Sequence, residues 1–545
     1  MDWYRKRTLG SLLDTAAERF GAREGLTFNG ERWTFTEMRQ ASDQLAKGLM
    51  ARGVQPGDRV AIWMTNRPEW IFALFGCAKA GACVVPLNTR YRTDDIGYTV
   101  RQSRSSVLLG MDRSGPVDYA GILRSAMPEL DKPEAAGFSG FPDLRDVILL
   151  GNEVPDGALP WAALLEAGDA VSDAELAARA DAVEPDELML ICYTSGTTAS
   201  PKGVMHTHVP IRNTHERAQL LGMTFKDVHL NYLPLFHIYG FSEITMVAVM
   251  TGARQVLMDV FDAGQALDLA VAEGANVLHG FEAHYLDLLM AQKEAPRELD
   301  IRLGTLPSGV ESTVPIAAEV QRVFGPTMSG FGMTECWAFV TVSNPSHSEE
   351  QRVHTSGYPM NDYEFRIVDP ASGADLPVGE KGEIWIRGYA VTRGYWDKPD
   401  ATAEALDADG WLHSGDLGLI RDDGNLVFLG RYKDMLKVGG ENVSPAEVEA
   451  FIRDMEEVID VAVVAYPDQR MGEVPVAFAV LHDGAKLDVE TVRARCHGRI
   501  ASFKIPRHFL ALPEFPMTPS GKIRKVELRQ MALARLGHEG AQDGA

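Results

Sequence analysis

Residues 188–203 read L-M-L-I-C-Y-T-S-G-T-T-A-S-P-K-G, an apolar run followed by a loop that is rich in hydroxyls and closed by a lysine. The run Leu188–Tyr193 predicts a buried strand. Glycine lets successive backbone N–H groups face one side, hydroxyls add donors, and Lys202 adds a movable positive charge. The loop therefore predicts a polyphosphate site, although the GxxxxGK[ST] spacing of a Walker A loop is absent. Its candidate ligands are Thr194, Ser195, Gly196, Thr197, Thr198 and Lys202.

Short apolar strands alternate with helices on both sides of this loop. Arg59–Met64 and Ala82–Leu87 are predicted strands around the helix Glu69–Lys79, which together make one βαβ unit. This alternation predicts a parallel sheet that is covered by helices on both faces. Further predicted strands are Val228–Leu233, Gln255–Met258, Asn276–His279, Leu303–Leu306 and Thr327–Ser329, with helices at Phe241–Met250, Glu282–Gln292 and Pro315–Phe324.

Four chemically unusual segments follow strands of this predicted sheet. They are Thr194–Gly203, Pro234–Gly240, Pro307–Ser312 and Gly330–Glu335. Ligands of parallel α/β sheets bind beyond the carboxyl ends of the strands. We therefore expect the four segments to converge on one site at one end of the sheet.

The pattern changes to β-hairpins after Gly357, and a chain of 545 residues is too long for one core. Gly382–Arg387 alternates like a strand, and Arg421–Asn425 has the residues of a hairpin turn. A charged break at Arg431–Asp434 precedes a compact α+β segment, so we place a domain boundary near Lys433. That segment is predicted to contain a capping box at Ser444–Glu447, a helix that ends near Met455, and strands at Val461–Ala465 and Val474–Leu481.

The composition excludes several classes of protein. The chain carries 53 Lys and Arg against 76 Asp and Glu, a formal net charge of −23, which argues against a nucleic-acid backbone or an anionic membrane as the main partner. The five cysteines are scattered, which indicates neither a disulfide framework nor a zinc site and favours a reducing compartment. No signal-peptide core and no apolar run of about 18 residues occurs, so we predict a cytoplasmic protein without a transmembrane segment.

Five ordered motifs resemble those of the adenylate-forming superfamily, which contains acyl- and aryl-CoA synthetases, peptide-synthetase adenylation domains and beetle luciferases. The resemblance extends from about Leu9 to Leu533. It implies an α/β fold with a large N-terminal domain, residues 1–432, built of parallel and mixed sheets covered by helices plus a small β-barrel-like part. It also implies a small mobile α+β C-terminal domain, residues 433–545. The motifs are Thr194–Gly203, Gly330–Glu335, Ser414–Asp416, Gly430–Asp434 and Pro519–Lys522.

Members of this superfamily first let a carboxylate attack the α-phosphate of ATP, which gives an acyl-adenylate and pyrophosphate. The resemblance implies that Glu335 binds Mg²⁺, whose preference for oxygen ligands fits a carboxylate beside phosphates, and that Thr334 donates to the α-phosphate. The stretch Gly309–Ser312 departs from the Gly-Ala-Pro or Gly-Glu-Pro that relatives place against adenine. The implied nucleotide contacts are Gly309, Glu311, Phe331 and Gly332 at the adenine and Asp416 and Arg431 at the ribose.

A thiol then attacks the adenylate, and the resemblance implies moving parts for this change of step. Lys522 would bridge the attacking carboxylate and the α-phosphate during adenylation. Rotation at the hinge residue Lys433 would then present another face of the small domain, while His237 would lie near the carboxylate and the entry of the thiol. The residues assigned to the thioester step are Lys437, Gly439 and Gly440, and the expected acyl-pocket walls are Phe241, Ile244 and Met333.

We therefore predict an ATP-dependent acyl-CoA synthetase that uses ATP, Mg²⁺ and CoA. The segment Val438–Pro445 resembles the GGxNVxP stretch of fatty- and aryl-acid CoA ligases, which favours CoA as the acceptor. The expected substrate is a hydrophobic carboxylic acid: medium-chain fatty, alicyclic or aromatic. Two alternative functions stay open: a ligase that loads an acyl-carrier protein, and an inactive nucleotide-binding regulator. A homodimer also stays open as the assembly.

Overall fold

The structure is a computed structural model that describes residues 7–132, 137–194, 201–309, 313–369, 372–431, 436–443, 445–516 and 523–537. The chain divides into two compact units. The first comprises Met1–Thr89, Ile96–Tyr193 and Gly203–Gly430, and the second comprises Arg90–Asp95, Thr194–Lys202 and Arg431–Ala545. No helix in the described ranges combines the length and the apolar character that crossing a membrane requires.

Helices and strands alternate along most of the chain. The α-helices are α1 (Leu9–Phe20), α2 (Phe35–Ala51), α3 (Pro68–Lys79), α4 (Thr93–Gln102), α5 (Tyr119–Ala126), α6 (Trp161–Ala167), α7 (Asp173–Asp181), α8 (Ile211–Leu220), α9 (Ile238–Gly240), α10 (Val247–Thr251), α11 (Ala263–Glu273), α12 (Glu282–Glu294), α13 (Val314–Phe324), α14 (Glu349–His354), α15 (Pro399–Ala405), α16 (Pro445–Arg453), α17 (Val489–Cys496) and α18 (Lys525–Leu536). Short 3₁₀ turns occur at Pro128–Asp131, Gly168–Ala170, Thr334–Cys336 and Ser502–Lys504, and a π-helix at Phe241–Met246.

The strands fall into several sheets. They are β1 (Glu24–Phe28), β2 (Glu31–Thr34), β3 (Arg59–Trp63), β4 (Cys83–Pro86), β5 (Ser105–Met111), β6 (Arg113–Ser114), β7 (Val117–Asp118), β8 (Asp146–Leu150), β9 (Leu159–Pro160), β10 (Leu188–Thr194), β11 (Lys202–Thr207), β12 (Val228–Asn231), β13 (Arg254–Leu257), β14 (Val277–His279), β15 (Leu303–Thr305), β16 (Thr327–Met328), β17 (Gly330–Met333), β18 (Ala338–Val342), β19 (Tyr358–Pro359), β20 (Tyr363–Val368), β21 (Gly382–Gly388), β22 (Leu412–Ile420), β23 (Leu426–Arg431), β24 (Leu436–Val438), β25 (Glu441–Val443), β26 (Val458–Asp468), β27 (Gly472–Leu481) and β28 (His508–Ala511).

Two seven-stranded sheets form the body of the first unit. Their strand orders are β16-β15-β14-β12-β13-β1-β2 and β11-β10-β4-β3-β5-β8-β9. The predicted βαβ unit is confirmed: β3 and β4 pair in parallel, with Val60 opposite Val84, and α3 connects them. All five residues of β3 except Arg59 are buried, as expected of a parallel strand covered on both faces.

The expectation that the four unusual segments leave one sheet is wrong. β10 belongs to the sheet that contains β3 and β4, where Leu190 pairs with Val84. In contrast, β12, β15 and β16 belong to the sheet that contains β13 and β14. The physical reason is that both edges of β10 are occupied, one by β11 and the other by β4, so β10 has no edge left for β12. Apolar runs reveal that a strand is buried but not which neighbour it pairs with.

Antiparallel strands follow in the last third of the first unit, as the hairpin signals predict. β17, β18 and β19 form a three-stranded sheet, and the β-barrel-like part is observed as a four-stranded sheet in the order β20-β21-β22-β23. The turn between β22 and β23 is closed by the Gly424 N–H, which donates to the Arg421 carbonyl at 2.8 Å. Four candidate site residues lie on these two sheets: Phe331, Gly332 and Met333 on β17 and Asp416 on β22.

The second unit is α+β. Its sheet has the order β25-β24-β27-β26, and β28 adds in parallel to β27. The predicted strands at Val461–Ala465 and Val474–Leu481 are parts of the longer β26–β27 hairpin, in which Ala462 faces Phe478. α16 begins at Pro445, and its predicted cap residue Ser444 lies outside the described residues.

Candidate active site

The Gly330–Glu335 motif forms a tight hairpin strand and the turn that follows it. β17 pairs antiparallel with β18, and Thr334–Cys336 continues as a 3₁₀ turn. Any residue larger than glycine at position 332 would place its Cβ 1.4 Å from the Ala338 carbonyl oxygen. The backbone approach in this hairpin therefore requires Gly332, which explains one glycine of the motif.

Three hydrogen bonds hold the Thr334–Glu335 pair from outside the motif. His206 Nε2 lies 2.6 Å from the Thr334 carbonyl oxygen, and the Thr392 N–H donates to the Glu335 carbonyl at 2.7 Å. The Tyr395 hydroxyl donates to Oε1 of Glu335 at 2.9 Å. The Glu335 side chain, 7% exposed, is therefore fixed in both backbone and carboxylate.

His206 is a neutral hydrogen-bond donor at this site. Desolvation by burial lowers the pKa of His206 to about 4, and the hydrogen bond to Thr334 offsets part of that shift. Because a carbonyl oxygen can only accept, Nε2 carries the proton in the neutral ring. Nδ1 is buried and has no hydrogen-bond partner among the residues that the structure describes.

The charges of two carboxylates act on the Cys336 thiol. Burial raises the pKa of the Cys336 thiol, and the charges of Glu335 and Asp416 act in the same direction. Asp416 lies on β22, is 3% exposed, and donates its backbone N–H to Ser414 Oγ at 3.0 Å. The structure thus brings the expected metal ligand and the expected ribose ligand into one region.

The predicted adenine contacts Phe331 and Gly309 lie on neighbouring backbone segments. The Phe331 ring is 5% exposed and its centroid lies 5.4 Å from that of Phe428 on β23. Ser356 connects the Gly309 segment to β23, because its hydroxyl donates to the Ser308 carbonyl at 2.9 Å and accepts from the Phe428 N–H at 3.2 Å. Gly309 has φ +107°, a conformation that favours glycine.

His237 precedes the short helix α9 and is half-buried. Its N–H donates to the Pro234 carbonyl at 3.1 Å, and a side chain at Gly240 would put a Cβ 2.2 Å from that same oxygen. The Cys192 thiol of β10 lies 3.9 Å from the Phe236 carbonyl oxygen. The end of β10 and the Pro234–Gly240 segment therefore meet, although they leave different sheets.

The three expected acyl-pocket residues differ in exposure. Phe241 and Ile244 are 0% exposed, and the Phe241 ring lies between Trp70 and Trp337 at centroid distances of 5.9 and 5.7 Å. Met333 is half-buried. Phe241 and Ile244 thus support this region from within the core, and Met333 retains accessible surface.

A buried ion pair shapes the helix that carries Phe241. Arg217 and Glu243 are 0% and 2% exposed, and Arg217 Nε donates to Glu243 Oε2 at 2.6 Å. Arg217 also donates to the Phe339 carbonyl at 3.0 Å on β18. The predicted helix at Phe241–Met250 is observed as a π-helix, which contains Glu243, followed by α10.

In the second unit, the predicted thioester-step residues form a hairpin. Val438 pairs with Glu441, so Gly439 and Gly440 are the two turn residues, with φ +58° and +83°. Positive φ at both positions is the signature of a type I′ turn. Lys437 is exposed, and its backbone N–H donates to Glu473 Oε2 at 2.7 Å.

Two residues at the ends of the predicted phosphate loop are described. Thr194 ends β10, and Lys202 begins β11 with 8% exposure.

Several predicted site residues lie outside the described residues, and the side chain of Arg431 is likewise not described. These residues are Ser195, Gly196, Thr197, Thr198, Glu311, Lys433 and Lys522. Their roles stay predictions.

Sequence reasoning missed His206 and Tyr395. His206 lies four residues after Lys202 on the same strand, so strand alternation puts both side chains on one face of β11. This was an available signal. Tyr395 follows Gly394 in an irregular segment, and nothing in its local sequence indicates that it contacts a residue 60 positions earlier.

Comparisons with known proteins identify the family of this chain. The AMP-binding enzyme family model matches residues 13–396, and the model of the AMP-binding enzyme C-terminal domain matches residues 447–522. The 3-[(3aS,4S,7aS)-7a-methyl-1,5-dioxo-octahydro-1H-inden-4-yl]propanoyl:CoA ligase of Mycobacterium tuberculosis H37Rv is 35% identical over 539 residues, covering 96% of this chain and 99% of its own. Human mitochondrial medium-chain acyl-CoA ligase ACSF2 is 31% identical over 547 residues, covering 96% and 87%.

A solved structure gives the same result for the fold. A double mutant of the o-succinylbenzoate CoA synthetase MenE from Bacillus subtilis, bound to a product analogue, superposes with a TM-score of 0.78 at 27% identity and covers 96% of this chain and 99% of its own. The chain therefore belongs to the AMP-binding enzyme family, in the adenylate-forming superfamily. It is an acid-thiol ligase of the acyl-CoA synthetase branch, which uses ATP and CoA.

Proposed function

We propose that this acyl-CoA synthetase activates a hydrophobic monocarboxylic acid: medium-chain fatty, alicyclic or aromatic. The observation that carries this proposal is the state of Arg217, the cation behind the π-helix. It is fully buried and already bonded to Glu243 and to the Phe339 carbonyl, so it is not available to a second carboxylate of a substrate. The relatives named as a medium-chain acyl-CoA ligase and as a methyl-dioxo-octahydro-indenyl-propanoyl:CoA ligase support the medium-chain and alicyclic parts of this range.

In the first half-reaction an acid oxygen attacks the α-phosphorus of ATP and the bond from that phosphorus to the bridging oxygen breaks, which releases pyrophosphate. Lys522 would stabilise the charge that develops between the two reactants, and Thr334 would donate to the α-phosphate. The remaining contacts that we propose for ATP are Thr194–Thr198 and Lys202 at the β- and γ-phosphates, Gly309, Glu311, Phe331 and Gly332 at the adenine, and Asp416 and Arg431 at the ribose.

Glu335 suits a divalent cation. Its buried carboxylate forms no ion pair with a lysine, arginine or histidine side chain of the described residues, and a buried charge needs a partner. No group of three or more His, Cys, Asp or Glu in the described parts of the chain could hold a metal by itself. Mg²⁺ commonly binds through one or two carboxylates together with substrate phosphates, and it would neutralise phosphate charge there. Glu335 would therefore hold it at the triphosphate.

In the second half-reaction the CoA sulfur attacks the acyl carbon, the bond to the AMP oxygen breaks, and the thiol proton is lost. We propose that rotation at Lys433 changes the working face of the C-terminal domain, residues 433–545, between the two steps. His237 would lie at the entry of the thiol, and Met333 would contact the acyl group in front of Phe241 and Ile244. The Gly439–Gly440 turn and Lys437 would serve this step.

A panel of acids tests the proposal directly. Octanoate, cyclohexylpropanoate and benzoate are compared with acetate and with succinate for AMP release in the presence of CoA. We expect the hydrophobic monocarboxylates to give the highest kcat/KM. Highest activity with acetate or with succinate would contradict the proposal, and a parallel assay with a holo-carrier protein tests whether CoA is the preferred thiol.

We also propose that the enzyme is cytoplasmic. All five cysteines are free and buried, which is typical of a reducing compartment. Fractionation of the native host with an antibody against the protein would test this location, and light scattering of the purified protein would test for a homodimer.

A further inference from the structure

The backbone contacts of Glu335 do not fix the direction of its carboxylate. His206 holds the Thr334 carbonyl at 2.6 Å and the Thr392 N–H holds the Glu335 carbonyl at 2.7 Å, so the peptide is fixed on both sides. The side-chain torsions of Glu335 would still let its carboxylate turn. The hydroxyl of Tyr395, 2.9 Å from Oε1, is the contact that stops this rotation.

Tyr395 is itself held firmly. It is 8% exposed, and its backbone N–H donates to Thr402 Oγ1 at 2.9 Å. On either side of it, the Gly394 carbonyl accepts from the Met205 N–H at 3.0 Å and the Trp396 N–H donates to the Gly203 carbonyl at 2.7 Å. The segment with Tyr395 therefore runs along β11, the strand that directly follows the predicted phosphate loop.

We propose that Tyr395 is a positioning residue that orients the Glu335 carboxylate towards the cation of MgATP. Because its segment is bonded to β11, Tyr395 also holds the carboxylate at a fixed position relative to that strand. The hydroxyl occupies a lone pair of Oε1, which leaves Oε2 and the remaining Oε1 lone pair for the cation. A carboxylate held in place before binding loses less freedom when the metal arrives. This inference rests on the proposed role of Glu335.

The test is Tyr395→Phe, which keeps the ring and removes the hydroxyl. Tyr389→Phe is the matched control, because the Tyr389 hydroxyl also donates to a carboxylate, Glu216 Oε2 at 3.3 Å. Isothermal titration calorimetry measures the affinity for α,β-methylene-ATP with Mg²⁺ and with EDTA, and thermal melting checks the fold. We expect Tyr395→Phe to weaken binding with Mg²⁺ by about five- to tenfold, since a hydrogen bond to a charged group is lost.

Binding in EDTA and every property of Tyr389→Phe should stay as in the wild type, and Tyr395→Phe should still unfold in one cooperative transition. Unchanged Mg²⁺-dependent binding of Tyr395→Phe would overturn the proposal, and so would an equal loss with and without Mg²⁺, which indicates a structural role. Glu335→Gln separates the two levels of inference. If Glu335→Gln leaves the Mg²⁺ effect intact, the metal role of Glu335 fails. If it abolishes the effect while Tyr395→Phe does not weaken it, the positioning role alone fails.

Discussion

His206 Nε2 and the carbonyl oxygen of Thr334 lie 2.6 Å apart, although 128 positions separate the two residues in the chain. This contact joins the strand after the predicted phosphate loop to the motif that carries Glu335. It requires a neutral imidazole with its proton on Nε2, because Nδ1 is buried with no partner among the described residues. The stability of the fold should therefore depend on pH.

Acid should destabilise the protein through its buried histidines. Burial lowers the pKa of His206 to about 4 from an ordinary value of 6.5, so its contribution to stability is complete above pH 6.5 and is lost as the pH falls towards 4. At pH 5 this one residue should cost roughly 2 kcal/mol of the free energy of unfolding. Burial acts in the same direction on the pKa of His208 and of His229.

Urea unfolding at pH 7 and pH 5 measures this loss. His206→Gln keeps an amide donor for Thr334 but cannot titrate, so its unfolding free energy should fall less between the two pH values. His497→Gln is the control, because the His497 side chain is exposed. An equal pH dependence in His206→Gln and the wild type would show that His206 does not contribute.

The Arg217–Glu243 pair should be costly to break from one side. Glu243→Gln leaves a buried guanidinium without its counter-charge, and the loss of one partner of a buried pair costs about 3–5 kcal/mol. The free energy of unfolding in urea measures this cost. The double variant Arg217→Met/Glu243→Leu should recover much of it. Glu319→Gln, which breaks the exposed pair with Arg322, serves as the control and should leave stability unchanged. A loss in Glu243→Gln no larger than in this control would contradict the prediction.

Gly332→Ala should slow adenylation strongly, whereas an alanine at a glycine position with free space around it should not. The new Cβ would lie 1.4 Å from a backbone oxygen of β18, so the hairpin must shift and displace Thr334 and Glu335. A displacement of about 1 Å can cost about 100-fold in rate. Acid-dependent pyrophosphate exchange measures this effect. Gly97→Ala, whose Cβ would meet nothing closer than 3.8 Å, is the control. Near-normal exchange in Gly332→Ala would refute the role of the hairpin.

Lys522→Ala separates the two half-reactions. A transition-state donor of this kind contributes about 10²–10³ in rate, so acid-dependent pyrophosphate exchange should fall by that order. The melting temperature should not change, and chemically supplied acyl-AMP should still react with CoA. Lys486→Ala, at an exposed position of the second unit, should behave as the wild type in both steps. An equal loss of the thioester step in well-folded Lys522→Ala would disprove the assignment.

The sequence predicted those elements that depend on short-range patterns of residues. The β3–α3–β4 unit was predictable because alternation of apolar segments is a short-range pattern. Gly330–Glu335 was expected as a segment that follows a strand, but Gly330–Met333 is itself the strand β17, whose pairing with β18 requires Gly332. The pairing of β10 with β4 was not predictable, because it joins residues about a hundred positions apart and depends on which sheet edge is vacant.

The supporting contacts of the site were hidden for the same reason. Tyr395 and His206 contact residues that are 60 and 128 positions away. Strand alternation places His206 on the same face of β11 as Lys202, but it does not indicate the contact with Thr334. The π-helix at Phe241–Met246 carries one member of the buried Arg217–Glu243 pair, and hydrophobic periodicity cannot reveal such a pair. Motifs therefore predicted the reacting residues, and only the three-dimensional structure revealed the contacts of His206 and Tyr395 with Thr334 and Glu335.

We propose that this chain makes an acyl-adenylate from a hydrophobic acid and passes the acyl group to CoA. The most direct measurement incubates the enzyme with octanoate, radiolabelled pyrophosphate and MgATP, first without CoA and then with it. We predict acid-dependent exchange of label into ATP without CoA, and equimolar AMP and octanoyl-CoA once CoA is added. Formation of ADP instead of AMP, or no exchange with octanoate or any other hydrophobic acid of the panel, would contradict the account.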